Sequence, residues 1–209
     1  MVEVRIDAGR LDRALVVEAA AAVRSGGIVA YPTDTLYGLA ADPASAAAIA
    51  QLYRIKGRPV ERAIPLIAAG IDQVEACAGA LTGRARALAE CFWPGPLTIV
   101  IPAWAGLDER VCADGATVAV RVPAHPVARL LAATCGWPIT STSANRSGGQ
   151  APMTAAEVRR TLGDELQGIV DGGPCPGGAP STIVDVTGAG PRLVRPGAVP
   201  WERVLECLR

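Results

Sequence analysis

Apolar residues recur along this chain in two rhythms. Over LDRALVVEAAAAVR (11–24) they fall three and four positions apart, the repeat of an amphipathic helix, and Ser25-Gly26-Gly27 supplies its stop. IVAY (28–31) is a continuous apolar run and predicts a buried strand. Ser45 is placed to cap a helix through Tyr53, and KGRP (56–59) predicts a turn. IPLIAA (64–69) predicts a strand, and residues 71–78 and 82–91 predict helices. WPGP (93–96) is a rigid breaker before the strand LTIVI, and VAVRV (118–122) predicts another strand ahead of a helix over about 126–134. PITSTSAN starts as a strand and ends in hydroxyls. A helix over 155–162, a Gly- and Pro-rich loop DGGPCPGGAP (171–180), strands in STIVDVT and RLVRPG, and a last helix over 200–208 complete the pattern. Alternating helices and strands with short antiparallel neighbours predict an α/β architecture (α+β by some schemes), a twisted mixed sheet flanked by helices. No internal repeat and no long linker interrupt it, so residues 1–209 are expected to form a single domain.

Composition narrows the class. Half of the 209 residues are hydrophobic and spread along the whole length, enough for a substantial core. No apolar run approaches about 18 residues, so no membrane-spanning helix is expected, and MVEVRIDAGR lacks a basic-then-apolar signal layout. The six cysteines (Cys77, Cys91, Cys112, Cys135, Cys175, Cys207) show no CxxC pair. That argues against zinc and against a disulfide framework, and it suits a reducing cytoplasm. Net charge is zero, which gives the chain as a whole no electrostatic reason to seek nucleic acid. Nineteen of the twenty basic residues are arginine; Lys56, Asn145 and His125 are each the sole residue of their type.

Polar residues cluster where strands end: Thr33-Asp34-Thr35, Ser141-Thr142-Ser143-Ala144-Asn145, and Ser181-Thr182. Arg121 lies within a strand and Arg195 at the end of one. In α/β sheets, ligands gather in crevices near strand ends. Hydroxyls, one amide, one ammonium and two guanidiniums suit phosphates and carboxylates. Each cluster taken alone could simply cap helices or satisfy strand-end backbone groups. A Walker loop, a GxGxxG after a strand, a nucleophile with a nearby base and zinc spacing are all missing. His125, next to a proline, reads as a structural or rim residue. The remaining chemistry is electrostatic: orienting substrates and neutralising phosphate charge, without covalent catalysis.

YPTDTLYGLAADP (31–43), the KGRP turn, WPGPLTIV, VAVRVPAHP, STSANRSG, and STIVDVTG with LVRPG, taken in this order, resemble the YrdC family of threonylcarbamoyl-AMP synthases. The match runs from about residue 13 to 199. The resemblance implies a YrdC-like domain with a deep, positively lined cavity. It implies synthesis of threonylcarbamoyl-AMP and pyrophosphate from L-threonine, bicarbonate and ATP. Partner enzymes would then transfer the threonylcarbamoyl group to tRNA beside the anticodon, and weak binding of tRNA or double-stranded RNA is left open. By resemblance, Thr33, Arg121, Ser141 and Ser181 would bind L-threonine. Lys56, Arg58, Thr117, Ser143, Asn145 and Arg195 would bind ATP. A magnesium ion is implied, held largely by the phosphates, since no carboxylate cage is legible.

Two positions depart from the family pattern. Many members carry a histidine where this chain has Ile67, and a serine where it has Ala151. With the chain ending at Arg209, the resemblance is to the short form. Two rival functions remain in view: a non-catalytic RNA-binding or ribosome-associated module of the same fold, and a carbamoyl-adenylate enzyme with another acceptor. Zero net charge counts against the first. The lack of additional domains and zinc-finger cysteines counts against the second.

Overall fold

The computed structural model describes residues 2–5, 13–57 and 63–209. The chain opens with β1 (Val2–Arg5), α1 (Arg13–Arg24), β2 (Val29–Tyr31), β3 (Gly38–Ala40) and α2 (Ala46–Lys56). Then come β4 (Leu66–Ile67), α3 (Ile71–Ala78), α4 (Gly83–Phe92), β5 (Leu97–Pro102) and β6 (Thr117–Arg121). Next are α5 (Pro126–Cys135), β7 (Ile139–Thr140), β8 (Thr142–Ser143) and α6 (Ala155–Leu162). The last elements are β9 (Gly168–Asp171), β10 (Thr182–Asp185), β11 (Arg192–Arg195) and α7 (Trp201–Cys207).

The strands form two mixed sheets rather than the one expected. One runs β1-β9-β2-β3-β8 and the other β11-β10-β5-β6-β4-β7. The strands of the first sheet are two to four residues long, too short to announce themselves by periodicity. β1, β3 and β9 were not legible in the pattern for that reason. The parallel pairings of β9 with β1 and β2 join segments far apart in the chain. α1 and α5 pack on each other over a core of Val16, Val23, Val29, Tyr31, Val127 and Leu131. A larger core gathers α2, α4 and the strands β5 and β6 around Ile49, Leu52, Leu88, Leu97, Ile99 and Val120.

Helix boundaries follow their caps. Ser45 accepts from the amide of Ala48 as expected, but α2 continues past Tyr53 to Lys56, correcting the predicted turn at 56. It ends at Gly57, whose φ of 56° is left-handed and so favours glycine. Lys56 therefore sits in the last helical turn, where a cation complements the helix dipole. α6 opens with a full capping box between Thr154 and Glu157. The scatter of cysteines hides one bond: Cys91 of α4 and Cys207 of α7 form a disulfide across 116 residues of sequence. Their pairing depends on the packing of α4 against α7, which spacing alone does not reveal. No helix among the described residues is long and apolar enough to cross a membrane.

The chain passes between the two sheets three times, and its shortest passage runs from β7 to β8. β7 lies in one sheet and β8 in the other, with Ser141 between them. Thr140 fastens this crossing: fully buried, its hydroxyl donates to Leu39 O at 2.8 Å and accepts from Ala41 N at 2.8 Å. Its carbonyl accepts the phenol of Tyr31 at 3.0 Å. Thr140→Val keeps the shape and strands both backbone groups. We expect it to lower unfolding stability by about 1–3 kcal/mol, read as a lower urea midpoint with an unchanged m-value. An unchanged midpoint would show that the hydroxyl is not what fastens this crossing.

Candidate active site

A cavity of about 600 Å³ opens beside the crossing of the two sheets, within the size range of small-molecule sites. Its lining brings together strand ends and one helix end: Thr33, Lys56, Arg121, Ser141, Ser143, Asn145, Ser181 and Arg195, with Thr35, Tyr37 and Thr98. A smaller cavity of about 270 Å³, lined by Trp104, Leu107, Trp137 and Pro138 with Asp42 and Cys77, lacks such a set.

Among the described residues, three cations meet in the larger cavity, each held by oxygens. Lys56 is 5% exposed, a burial that an ammonium tolerates only when it is hydrogen-bonded. Its Nζ donates to Ser143 O at 2.5 Å, with Ser143 Oγ at 3.3 Å and Asn145 Oδ1 at 3.4 Å. The Asn145 amide donates to Arg146 O and Gly149 O, which fixes the loop and aims the amide oxygen at Lys56. The chain's sole lysine and sole asparagine thus form one unit.

Arg121, at the end of β6, is 6% exposed and ion-paired with Asp34 at 2.7 Å. Arg195, at the end of β11, donates through Nη2 to Ser181 O at 2.8 Å and Ser181 Oγ at 3.1 Å. Ser181 in turn shares a 2.8 Å hydrogen bond with Thr98. Gly197 makes this possible, since a Cβ there would stand 2.3 Å from Pro180 O. The turn after β11 therefore lies directly on the start of β10. Although Arg195 is exposed overall, withdrawal of its head group from water and then the charge of Arg121 push its pKa down. Two guanidiniums that feel each other across a cavity make a place for an anion.

The Thr33 hydroxyl lines the cavity but is occupied by its own loop. It donates to Leu36 O at 2.6 Å and accepts from the amides of Thr35 and Leu36 at 3.2 Å. The Thr117 hydroxyl points back to Ala113 O at 3.5 Å, and Thr117 is not part of the cavity lining. Arg58 lies outside the described residues. Ile67 is fully buried beside Arg121 in the β4–β6 register and lines no part of the cavity. His125 also stays out of the lining, and burial pushes its pKa down, so it is neutral at pH 7.

Thiol nucleophiles are equally absent from the lining. Burial pushes Cys175 up to about 11 and Cys135 up to about 12. Sequence reasoning missed Thr98 and Asp34. Thr98 is the lone polar residue inside the apolar strand LTIVI, which was the available signal. Asp34 sat in plain view among hydroxyls, but its partner is 87 residues away.

Comparison with known proteins shows the family. The Sua5/YciO/YrdC family model, described as telomere recombination, matches residues 21–197. A threonylcarbamoyl-AMP synthase of Bacillus subtilis is 39% identical over 190 residues, covering 90% of this chain and 55% of that protein. One from Thiobacillus denitrificans is 41% identical over 164 residues, covering 78% of this chain and 87% of that protein. The crystal structure of Pyrococcus abyssi Sua5 complexed with L-threonine matches with a TM-score of 0.90 at 35% identity. That match covers 99% of this chain and 60% of the other. The chain thus spans little more than half the length of the Bacillus and Pyrococcus relatives.

The cavity's charge gives a test that needs no knowledge of the reaction. Inorganic pyrophosphate should bind, and Arg195→Ala should weaken it about tenfold, the order of one lost charge-assisted hydrogen bond. Arg203→Ala, at a guanidinium 69% exposed on α7, should change nothing. Calorimetric titration decides, and equal weakening by both would mean a general charge effect rather than a site.

Proposed function

Because the chain belongs to the Sua5/YciO/YrdC family, we propose that it is an L-threonylcarbamoyladenylate synthase. It would join L-threonine, bicarbonate and ATP into threonylcarbamoyl-AMP and release pyrophosphate. The observation that carries this reading is the cavity in which Lys56, Arg121 and Arg195 converge with Ser141, Ser143 and Ser181. Such a lining suits one small zwitterion and one polyphosphate side by side.

In this reading Arg121 receives the amino-acid carboxylate, and Thr33, Ser141 and Ser181 line the same end. Lys56 meets the phosphates as a point charge, with Ser143 and Asn145 beside it and Arg195 opposite. Arg58 joins them by family resemblance alone. Two bonds must form: nitrogen of threonine to the bicarbonate carbon with loss of water, and the resulting carbamate oxygen to the α-phosphorus with loss of pyrophosphate. Neither needs a protein nucleophile. The chain's part is to hold the reactants in line and to offset phosphate charge.

ATP would enter as its magnesium complex. The lining residues carry cations and hydroxyls and no carboxylate among the described residues, and Asp34 behind Arg121 is committed to it, so the residues do not fit a resident dication. The product is a mixed anhydride prone to hydrolysis, which fits hand-over to a partner that transfers the group to tRNA. A role in supplying a group for tRNA would suit a cytoplasmic protein.

The deciding experiment is pyrophosphate release from ATP with and without L-threonine and bicarbonate. Dependence on both supports the reading; release independent of L-threonine removes it. Lys56→Arg should lose at least tenfold in rate, about 1.4 kcal/mol, and nearly as much as Lys56→Ala. A planar fork cannot take the place of a compact ammonium 2.5–3.4 Å from three oxygens. Wild-type rates for Lys56→Arg would take Lys56 out of the site.

His125 gives a pH test. Its pKa lies below the ordinary 6.5, so its charge is gained only as pH falls below that value. His125→Gln should therefore leave kcat/KM between pH 7 and 8 within about twofold of wild type, since no general base is removed. A hundredfold loss in a folded variant would mean that a base works here.

A further inference from the structure

We propose that Asp34 is a positioning residue for Arg121 and, through it, sets the affinity for the amino-acid substrate. The inference rests on the reading of Arg121 as the carboxylate receptor. Both oxygens of Asp34 take hydrogen bonds from the same nitrogen of Arg121, Nη1, at 2.9 and 2.7 Å. No other protein acceptor for this guanidinium is found among the described residues, so Nη2 and Nε remain for a ligand carboxylate. Asp34 itself does not line the cavity. It acts on the ligand only by where it holds the guanidinium.

Two features make the carboxylate a fixed post rather than a mobile partner. The first is its loop: Thr33 Oγ1 knots residues 33–36 with three hydrogen bonds, which sets the backbone that carries Asp34. This gives Thr33 a second task beside any contact with substrate. The other is burial, with side chains 7% and 16% exposed for Arg121 and Asp34. Water screens such a pair poorly, and its geometry is held more tightly than that of a surface pair.

Charge adds a reason for the pairing. Arg195 lines the same cavity as Arg121, and their like charges repel. Without Asp34, the Arg121 guanidinium would be free to turn away from Arg195 and from the position a carboxylate needs. Asp34 holds one edge of the fork so that the other stays aimed. It also leaves the cavity positive, since one carboxylate stands against three cations.

Asp34→Asn removes the charge while keeping the shape. L-threonine affinity, measured by calorimetry and as KM, should fall at least about tenfold, the order expected when a receptor group is misplaced by a fraction of an ångström. The ATP KM should stay within about twofold and kcat within about threefold. Asp34→Glu keeps the charge one methylene further out and should fall between wild type and Asp34→Asn. A merely structural role would lower the ATP and L-threonine affinities together.

Failure separates cleanly. Wild type that does not bind L-threonine overturns the functional reading and the inference with it. Wild type that binds L-threonine, with Asp34→Asn binding equally well or losing both substrates alike, overturns the inference alone. Should Asp34→Asn not fold, Asp34→Glu decides: L-threonine affinity equal to wild type counts against positioning, and a selective loss supports it.

Discussion

Burying a cation is the constraint on which this molecule's centre depends. A guanidinium or ammonium taken out of water must find oxygen partners, or the burial costs more than the fold can offset. Among the described residues three cations share one cavity, Lys56 and Arg121 buried and Arg195 exposed overall, and each has a different solution. Lys56 is held by a backbone carbonyl with a hydroxyl and an amide oxygen nearby, Arg121 by a carboxylate, and Arg195 by a serine's carbonyl and hydroxyl. Only one of these solutions spends a negative charge. The cavity therefore stays positive, which suits the polyphosphate proposed to bind there.

The partners come from three separate parts of the chain, at Asp34, at Ser143 with Asn145, and at Ser181, and a crossing between the sheets supplies the second of them. Residues 139–145 pass from one sheet to the other, supplying Thr140 to fasten the crossing and Ser143 and Asn145 to hold Lys56. α2 delivers Lys56 from the other side because Gly57 ends the helix there. Ser147 N donating to Lys56 O at 2.7 Å closes the same junction through the backbone. Fold and site thus share their fastenings. A change meant for the site at Ser143 or Asn145 also loosens the seam.

Arg195 and Ser181 form the opposite wall by similar means. Gly197 lets the turn after β11 lie on the start of β10, and Thr182, fully buried, locks it by exchanging hydrogen bonds with Val199. β11 itself is exposed along its length. Its arginine is therefore placed by the turn that follows it and not by packing of the strand. The disulfide between Cys91 and Cys207 ties down α7, which follows that turn.

Much of this was legible in the residues. The long helices declared themselves by period, the strands LTIVI and VAVRV by apolar runs, and the polar strand ends by their hydroxyls. The sole lysine and sole asparagine marked themselves by rarity, and of the nine singled-out residues that the structure describes, eight line one cavity. What sequence could not decide was who holds whom. The ion pair of Asp34 with Arg121 spans 87 residues, Thr140 reaches back 101 to Leu39, and Cys207 meets Cys91 across 116. The first sheet depends on strands of two to four residues whose only strong signal is their pairing. Local chemistry is written in neighbours a few positions apart, because helix period, caps and turns act over that range. The sequence therefore determined which groups this protein would use, and tertiary structure alone decided their partners, because buried charges and short strands are satisfied by whatever the folded chain brings within hydrogen-bond reach.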